Sequence, residues 1–123
     1  MQCILVIDDD VMVRETITHI LEVRGYEVIG AEDGDVGLNK FRAAPPDLVI
    51  TDIIMPNKEG IQTIIAIRNE QPDAKIIAIS GGGRVGNADF LKIALLLGAA
   101  DVISKPFDPD DFVTRIDRCL AAS

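Results

Sequence analysis

Five short apolar runs, each followed by a stretch with helical spacing, restrict this chain more than any other feature. The first, Ile4-Leu5-Val6-Ile7, is continuous, largely β-branched and too short for a helix, which is how a strand buried on both faces reads. Four more strands are expected at residues 26–31, 47–51, 75–79 and 101–103. In the gap after the first, Val13, Ile17, Ile20 and Leu21 share one helical stripe within residues 11–24, and Gly25 supplies a left-handed stop. Residues 34–43 carry a weaker stripe, Leu38 and Phe41, with Gly37 where a larger side chain would crowd the sheet. Ile61, Ile64, Ile65 and Arg68 have helical spacing within residues 60–71, and Pro72 ends that run. Residues 87–97 are apolar almost all round and stop at Gly98. The last helix opens with Asp108 as N-cap, Pro109 in the first turn, and Asp110 and Asp111 at the positive end of the dipole. Phe112, Ile116, Cys119 and Leu120 form its buried face.

Strand–helix–strand alternation forces parallel pairing, with helices covering both faces of the sheet. Five such units within 123 residues predict a single α/β domain over residues 1–123. The expected architecture is flavodoxin-like, a doubly wound five-stranded parallel sheet in the order 2-1-3-4-5. Twenty acidic residues against 12 basic ones give a net charge of −8, which argues against direct nonspecific binding to nucleic acid or an anionic membrane. No apolar run approaches the roughly 20 residues of a membrane span. The opening MQCILVIDDD lacks a basic leader, so a cytoplasmic location is expected. Cys3 and Cys119 lie far apart without metal-binding spacing and read as reduced thiols.

In sheets of this kind ligands bind beyond the carboxyl ends of the strands. Asp8, Asp9 and Asp10 follow the first run, Asp52 the third, Ser80 with Gly81, Gly82 and Gly83 the fourth, and Ser104, Lys105 and Pro106 the fifth. Strands one and three are neighbours in the expected order, so the aspartates converge. Two unit charges ~5 Å apart cost roughly 0.8 kcal/mol in water and about 3 kcal/mol at an effective dielectric near 20. One divalent cation plus the Lys105 ammonium would balance Asp8, Asp9 and Asp52. All-oxygen donors without nearby His or Cys select a hard ion, Mg²⁺, with Mn²⁺ as a substitute. An ionised aspartate is also a nucleophile toward a phosphoryl group. Such transfer needs positioning and charge stabilisation above all, which Lys105, the Ser80 hydroxyl and the cation would provide. Gly81 would leave the donor's approach open.

As a set, Asp8-Asp9, Asp52 within TDIIMPNKEG, Ser80 and Lys105-Pro106-Phe107 resemble the receiver domain of two-component response regulators, the chemotaxis-regulator-like family. Pro46-Asp47 before the third strand and Gly98-Ala99 before the fifth add to the likeness, which spans nearly the whole chain. The resemblance implies that Asp52 is the phosphoacceptor. It implies Asp9 as a direct metal ligand, Asp8 as a ligand acting largely through water, and the backbone carbonyl of Ile54 as a further ligand. Ser80 would be the switch hydroxyl, and Lys105, joined to Pro106 by a cis bond, would pair with the phosphate. The phosphoryl group would come from a histidine kinase, a phosphotransfer protein or a small phosphodonor. A downstream protein would read the face formed by helix four, strand five and helix five, and the chain would be a monomer or weak dimer. Three features depart from the family's pattern. Val102 stands at the switch position, where the family usually has Tyr or Phe. Ile54 and Gly82 occupy positions that tune phosphate loss, and neither side chain can orient water by hydrogen bonding, which predicts slow self-dephosphorylation. Residues 81–86 hold four glycines, which predicts a mobile loop.

Other readings compete at single positions. Asp10 serves best as a helix cap, His19 as a surface residue, and the glycines after Ser80 lack the lysine of a phosphate-binding loop. On helix four, Leu91, Ala94 and Leu95 are expected to face the sheet. Phe90, Ile93, Leu96 and Leu97 cannot all follow, so Leu96, Phe90 and Ile93 are assigned to a partner face. Asp8-Asp9-Asp10-Val11 also fits the pattern of haloacid-dehalogenase-type phosphatases, whose nucleophile would be Asp8, but no later carboxylate pair follows the fourth strand. A receiver-like module that binds partners without phosphorylation is a third possibility. Four Phe, one Tyr and no Trp leave little to sandwich a flavin.

Overall fold

All five apolar runs form strands, and all five gaps form helices. The computed structural model describes residues 2–53, 60–81, 87–105 and 107–122, with the side chains of 81 and 87–91 outside that description. The strands are β1 (Cys3–Ile7), β2 (Glu27–Ala31), β3 (Leu48–Asp52), β4 (Ile76–Gly81) and β5 (Asp101–Lys105). The helices are α1 (Val11–Val23), α2 (Gly34–Ala43), α3 (Gly60–Glu70), α4 (Asn87–Leu96) and α5 (Pro109–Ala121). The sheet is wholly parallel in the order β2-β1-β3-β4-β5, so the strand order reverses between β1 and β3.

Side chains alternate across a strand, and that alternation divides the core in two. Leu5, Ile7, Val49, Ile76 and Ala78 face one layer, where Leu38 and Phe41 of α2, Ile64 and Ile67 of α3, and Ala94 of α4 close over them. Ile4, Val6, Leu48, Ile50, Ile77, Ile79 and Ile103 face the other, beneath Ile17 and Leu21 of α1 and Phe112 and Ile116 of α5. The continuous apolar runs therefore reflect burial on both sides.

Helix ends follow the local chemistry. Asp10 caps α1 by accepting from the Met12 and Val13 amides at 2.9 and 3.3 Å, and Asp108 caps α5 by accepting from Asp111 at 3.0 Å. Gly25 and Gly98 take the positive φ, 91° and 97°, that follows α1 and α4. A Cβ on Gly37 would stand 2.5 Å from Ile7 Cδ1, so α2 lies on β1 only because that side chain is absent. His19 is exposed, and Cys3 and Cys119 are both free thiols.

Three expectations need correction. β5 does not stop at Ile103 but runs through Ser104 and Lys105, because the ladder with β4 continues past the apolar residues. Leu95 does not face the sheet: it is 52% exposed, and Ala94 fills that place. Ile65 is exposed as well, while Thr63 and Ile67 take the buried face of α3 beside Ile64. Arg68 is half-buried on that helix, and its guanidinium donates to the Leu97, Gly98 and Pro72 carbonyls, fastening α3 to the end of α4.

Candidate functional site

The sheet's own alternation assembles the site. Asp52 closes β3 on the face that carries Leu48 and Ile50, and Lys105 closes β5 on the face that carries Ile103. Asp8 follows β1 with the same parity as Ile4 and Val6. Three residues far apart in sequence thus reach one edge of the sheet with their side chains on one side. The Lys105 ammonium donates to Asp8 Oδ2 and to Asp52 Oδ2, both at 2.9 Å. Side-chain exposure is 18% for Lys105, 8% for Asp52 and zero for Asp8.

Asp8 is tied on every side. Its amide donates to Ala31 O at 3.1 Å, its Oδ1 accepts from the Asp10 amide at 2.9 Å, and its carbonyl accepts from Arg14 Nη1 at 2.7 Å. Burial pushes its carboxyl above the usual aspartate range and the Asp52 charge adds to this, while the Asp10 amide and Lys105 pull the other way. Burial also works against the Lys105 ammonium. The hydrogen bonds and charges of Asp8 and Asp52 outweigh it and hold the ammonium above the ordinary lysine range.

Asp9 completes the cluster from an exposed position. Asp8, Asp9 and Asp52 each offer a carboxylate oxygen, and these atoms lie within 4.8 Å of one another. Three carboxylates face one ammonium, so the cluster carries excess negative charge in a partly buried place. The donors are all hard oxygens, which fits a divalent cation of the Mg²⁺ or Mn²⁺ kind.

Ser80 lies on β4, buried to 2% exposure, one rung beyond Ile79, which pairs with Asp52. Its parity is that of Ala78, opposite to Asp52 and Lys105, so it reaches the site's edge from the α3–α4 side of the sheet. Val102 is half-buried and packs against that same layer. Ile93 and Leu96 are exposed on α4, at 41% and 85%. Ile54, Gly82, the 82–86 loop and Pro106 lie outside the described residues, as do the side chains of Phe90 and Leu91.

Sequence reasoning missed Arg14 and Thr51. The Thr51 hydroxyl, wholly buried, donates to the Asp52 carbonyl at 3.0 Å. Thr51 read only as the end of a strand. Arg14, four residues after the Asp10 cap, carries no apolar or motif signal of its own. No helix among the described residues is long and apolar enough to cross a membrane.

The response regulator receiver domain family matches residues 4–117. The chemotaxis protein CheY of Treponema pallidum (strain Nichols) is 40% identical over 120 residues, covering 95% of this chain and 81% of that protein. The phosphate regulon transcriptional regulatory protein PhoB of Escherichia coli (strain K12) is 34% identical over 113 residues, 92% of this chain but 49% of that protein. The chain thus spans about half the length of such a regulator. Among solved structures, the receiver domain of NtrX from Brucella abortus superposes with a TM-score of 0.91 at 33% identity, covering 98% of this chain and 99% of that one. A response regulator receiver domain protein from Clostridium thermocellum gives 0.89 at 30% identity, covering 98% and 94%. With the match running across nearly all of the sheet and its helices, the chain belongs to the response regulator receiver domain family.

Proposed function

We propose that this chain is a phosphorylation-driven switch in a phosphorelay, with Asp52 as the phosphoacceptor. The observation that carries the reading is the Lys105 ammonium held at 2.9 Å from both Asp8 and Asp52, with Asp9 alongside. A carboxylate oxygen of Asp52 attacks the phosphorus of a phosphohistidine on a kinase or phosphotransfer protein, or of a small acyl phosphate. A P–O bond to Asp52 forms as the bond to the donor breaks, and the donor's imidazole or carboxylate leaves with the electron pair. Lys105 balances charge near the acceptor before transfer and remains beside the phosphoryl oxygens after it. Asp8, Asp9 and Asp52, with the Ile54 carbonyl as the family's further ligand, would hold a divalent cation, which would supply positive charge near the transferring group.

Phosphorylation adds about 1.5 to 2 negative charges at the edge of the sheet. The Ser80 hydroxyl then turns toward the phosphoryl group and shifts a pre-existing two-state equilibrium. Val102 lacks the aromatic ring that usually follows this hydroxyl, so the response passes through the packing of α4 and not through a ring flip. The surface of α4, β5 and α5, with Leu96, Ile93 and Phe90, presents the result to a protein partner. Ile54 and Gly82 leave no side chain to orient an attacking water, so the phosphoryl group is lost slowly. The setting is cytoplasmic, and residues 1–123 act as one domain, monomeric or weakly dimeric, either free-standing or within a longer regulator. The acidic surface disfavours nucleic acid and membrane as direct partners.

Asp8 is a poor nucleophile in this setting. It has no exposed surface, and both its oxygens are engaged, by Lys105 and by the Asp10 amide. That observation ranks the phosphatase reading below the receiver one.

Intact mass after incubation with acetyl phosphate and Mg²⁺ tests the proposal. The expected result is a gain of one phosphoryl group that disappears in Asp52→Asn and without the cation. A gain that survives in Asp52→Asn would move the nucleophile, with Asp8 next in line. No gain, together with no beryllofluoride binding, would replace the proposal with a phosphorylation-independent binding module.

A further inference from the structure

We infer that Arg14 is a positioning residue for the cation site and that Gly30 makes room for it. The inference rests on the reading that Asp8, Asp9 and Asp52 hold a divalent cation. Arg14 sits in the first turns of α1, half-buried, and its Nη1 donates to the Asp8 carbonyl at 2.7 Å. That oxygen belongs to the peptide linking Asp8 to Asp9, the unit joining the buried ligand to the exposed one. The rest of the acidic turn is fastened by the Asp8 amide on Ala31 O, the Asp10 amide on Asp8 Oδ1 and the Arg14 amide on Asp10 O. Arg14 thus holds the carbonyl between two carboxylates that must point at one ion. Partners of this outer kind orient the ligands, and losing one typically costs 10–100-fold in metal affinity.

Gly30 gives the arrangement its second, independent support. It lies within β2, where a glycine weakens a strand and signals the close approach of another group. A Cβ there would stand 3.2 Å from Arg14 Cδ and 3.5 Å from its Cγ and Nε. The arginine stem thus lies against β2 at its glycine, where a Cβ would crowd it. On the same residue, Lys40 Nζ donates to the Gly30 carbonyl at 2.6 Å, which fixes the strand beneath the stem.

Charge and position predict opposite signs, so the two can be told apart. A guanidinium near a cation site repels the cation, and deleting a mere bystander charge would tighten binding. Deleting a positioning residue loosens it. The experiment is calorimetric titration with Mg²⁺ of the wild type, Arg14→Ala, Arg14→Lys, Gly30→Val and the Arg14→Ala/Gly30→Val double variant, with circular dichroism of each cation-free protein. Arg14→Ala should weaken Mg²⁺ binding about tenfold. Arg14→Lys, which keeps a donor, should recover part of the loss. Gly30→Val should weaken binding in the same direction, and the double variant should be no worse than Arg14→Ala, because both changes remove one contact. Unchanged or tighter binding in a folded Arg14→Ala overturns the inference. If that variant does not fold, wild-type affinity in both Gly30→Val and Arg14→Lys overturns it. No Mg²⁺ binding by the wild type would remove the cation reading itself, and the inference with it.

Discussion

Helices α4 and α5 flank the same edge strand from opposite sides, yet they are held in different ways. α5 buries Phe112, Val113, Ile116 and Cys119, and Phe107 stacks on Phe112 with ring centroids 4.5 Å apart. Polar ties add to that packing. Arg115 reaches Asp101, Asp111 and the Val102 carbonyl, Tyr26 donates to Asp117, and Lys75 donates to the Leu120 carbonyl at the helix's last turn. In α4, from Lys92 to Leu96, Ala94 is the one buried side chain, and Arg68 clasps the carbonyls just beyond the helix. Ile93, Leu95 and Leu96 face outward. Among the described side chains, the more apolar helix places fewer in the core. Apolar content alone does not anchor a helix; a polar face, by defining the buried one, does.

Removing the largest anchor should produce the largest effect. Phe112→Ala should cost about 3–5 kcal/mol of stability, measured by urea unfolding. An equal cost for Leu96→Ala would erase the contrast between the helices. A smaller effect concerns the tie from Tyr26 to α5. Burial, then the hydrogen bond and charge of Asp117, push the Tyr26 hydroxyl up to about 12. A proton held more tightly in the folded state stabilises it fully below the ordinary tyrosine value near 10, and that contribution is lost as pH rises toward 12. Tyr26→Phe should flatten the fall in melting temperature between pH 10 and 12, and an unchanged slope would remove Tyr26 from α5's restraints. The smallest expected change in stability is at the surface of α4. Leu96→Lys should shift unfolding by no more than about 0.5 kcal/mol, while reducing self-association or partner capture in sedimentation and pull-down. A large loss of stability would mean that Leu96 packs where it is described as exposed.

Most of the fold could be read from the chain because the central strands β1, β3 and β4 are buried on both faces and each helix, α4 apart, shows one apolar side. Strand order followed from the strand–helix alternation, and the meeting of the acidic residues followed from that order. The misreadings arose where apolar pattern stops being the controlling variable. Ser104 and Lys105 are polar, so their strand character is visible only through pairing with Ser80 and Gly81. Leu95 and Ala94 differ by one step of helical rotation, which a helix apolar all round cannot resolve. Asp8, Asp9, Asp52 and Lys105 were legible as a cluster because like charges at neighbouring strand ends demand an explanation. Arg14 and Thr51 were not, since each acts on a backbone carbonyl, and a carbonyl has no signature in a sequence.

The shared parity of Asp52 and Lys105 has a consequence for how such a chain can change over generations. Side chains in a strand point alternately up and down, so a single codon gained or lost within β5 ahead of Lys105 would carry its ammonium to the far side of the sheet. The same is true of β3 ahead of Asp52. Substitutions can drift through these strands while hydrophobicity is kept, but their length cannot change by one. The distance counted in residues from the last core contact to the charged group is thus as much a part of the inheritance as the charged group itself.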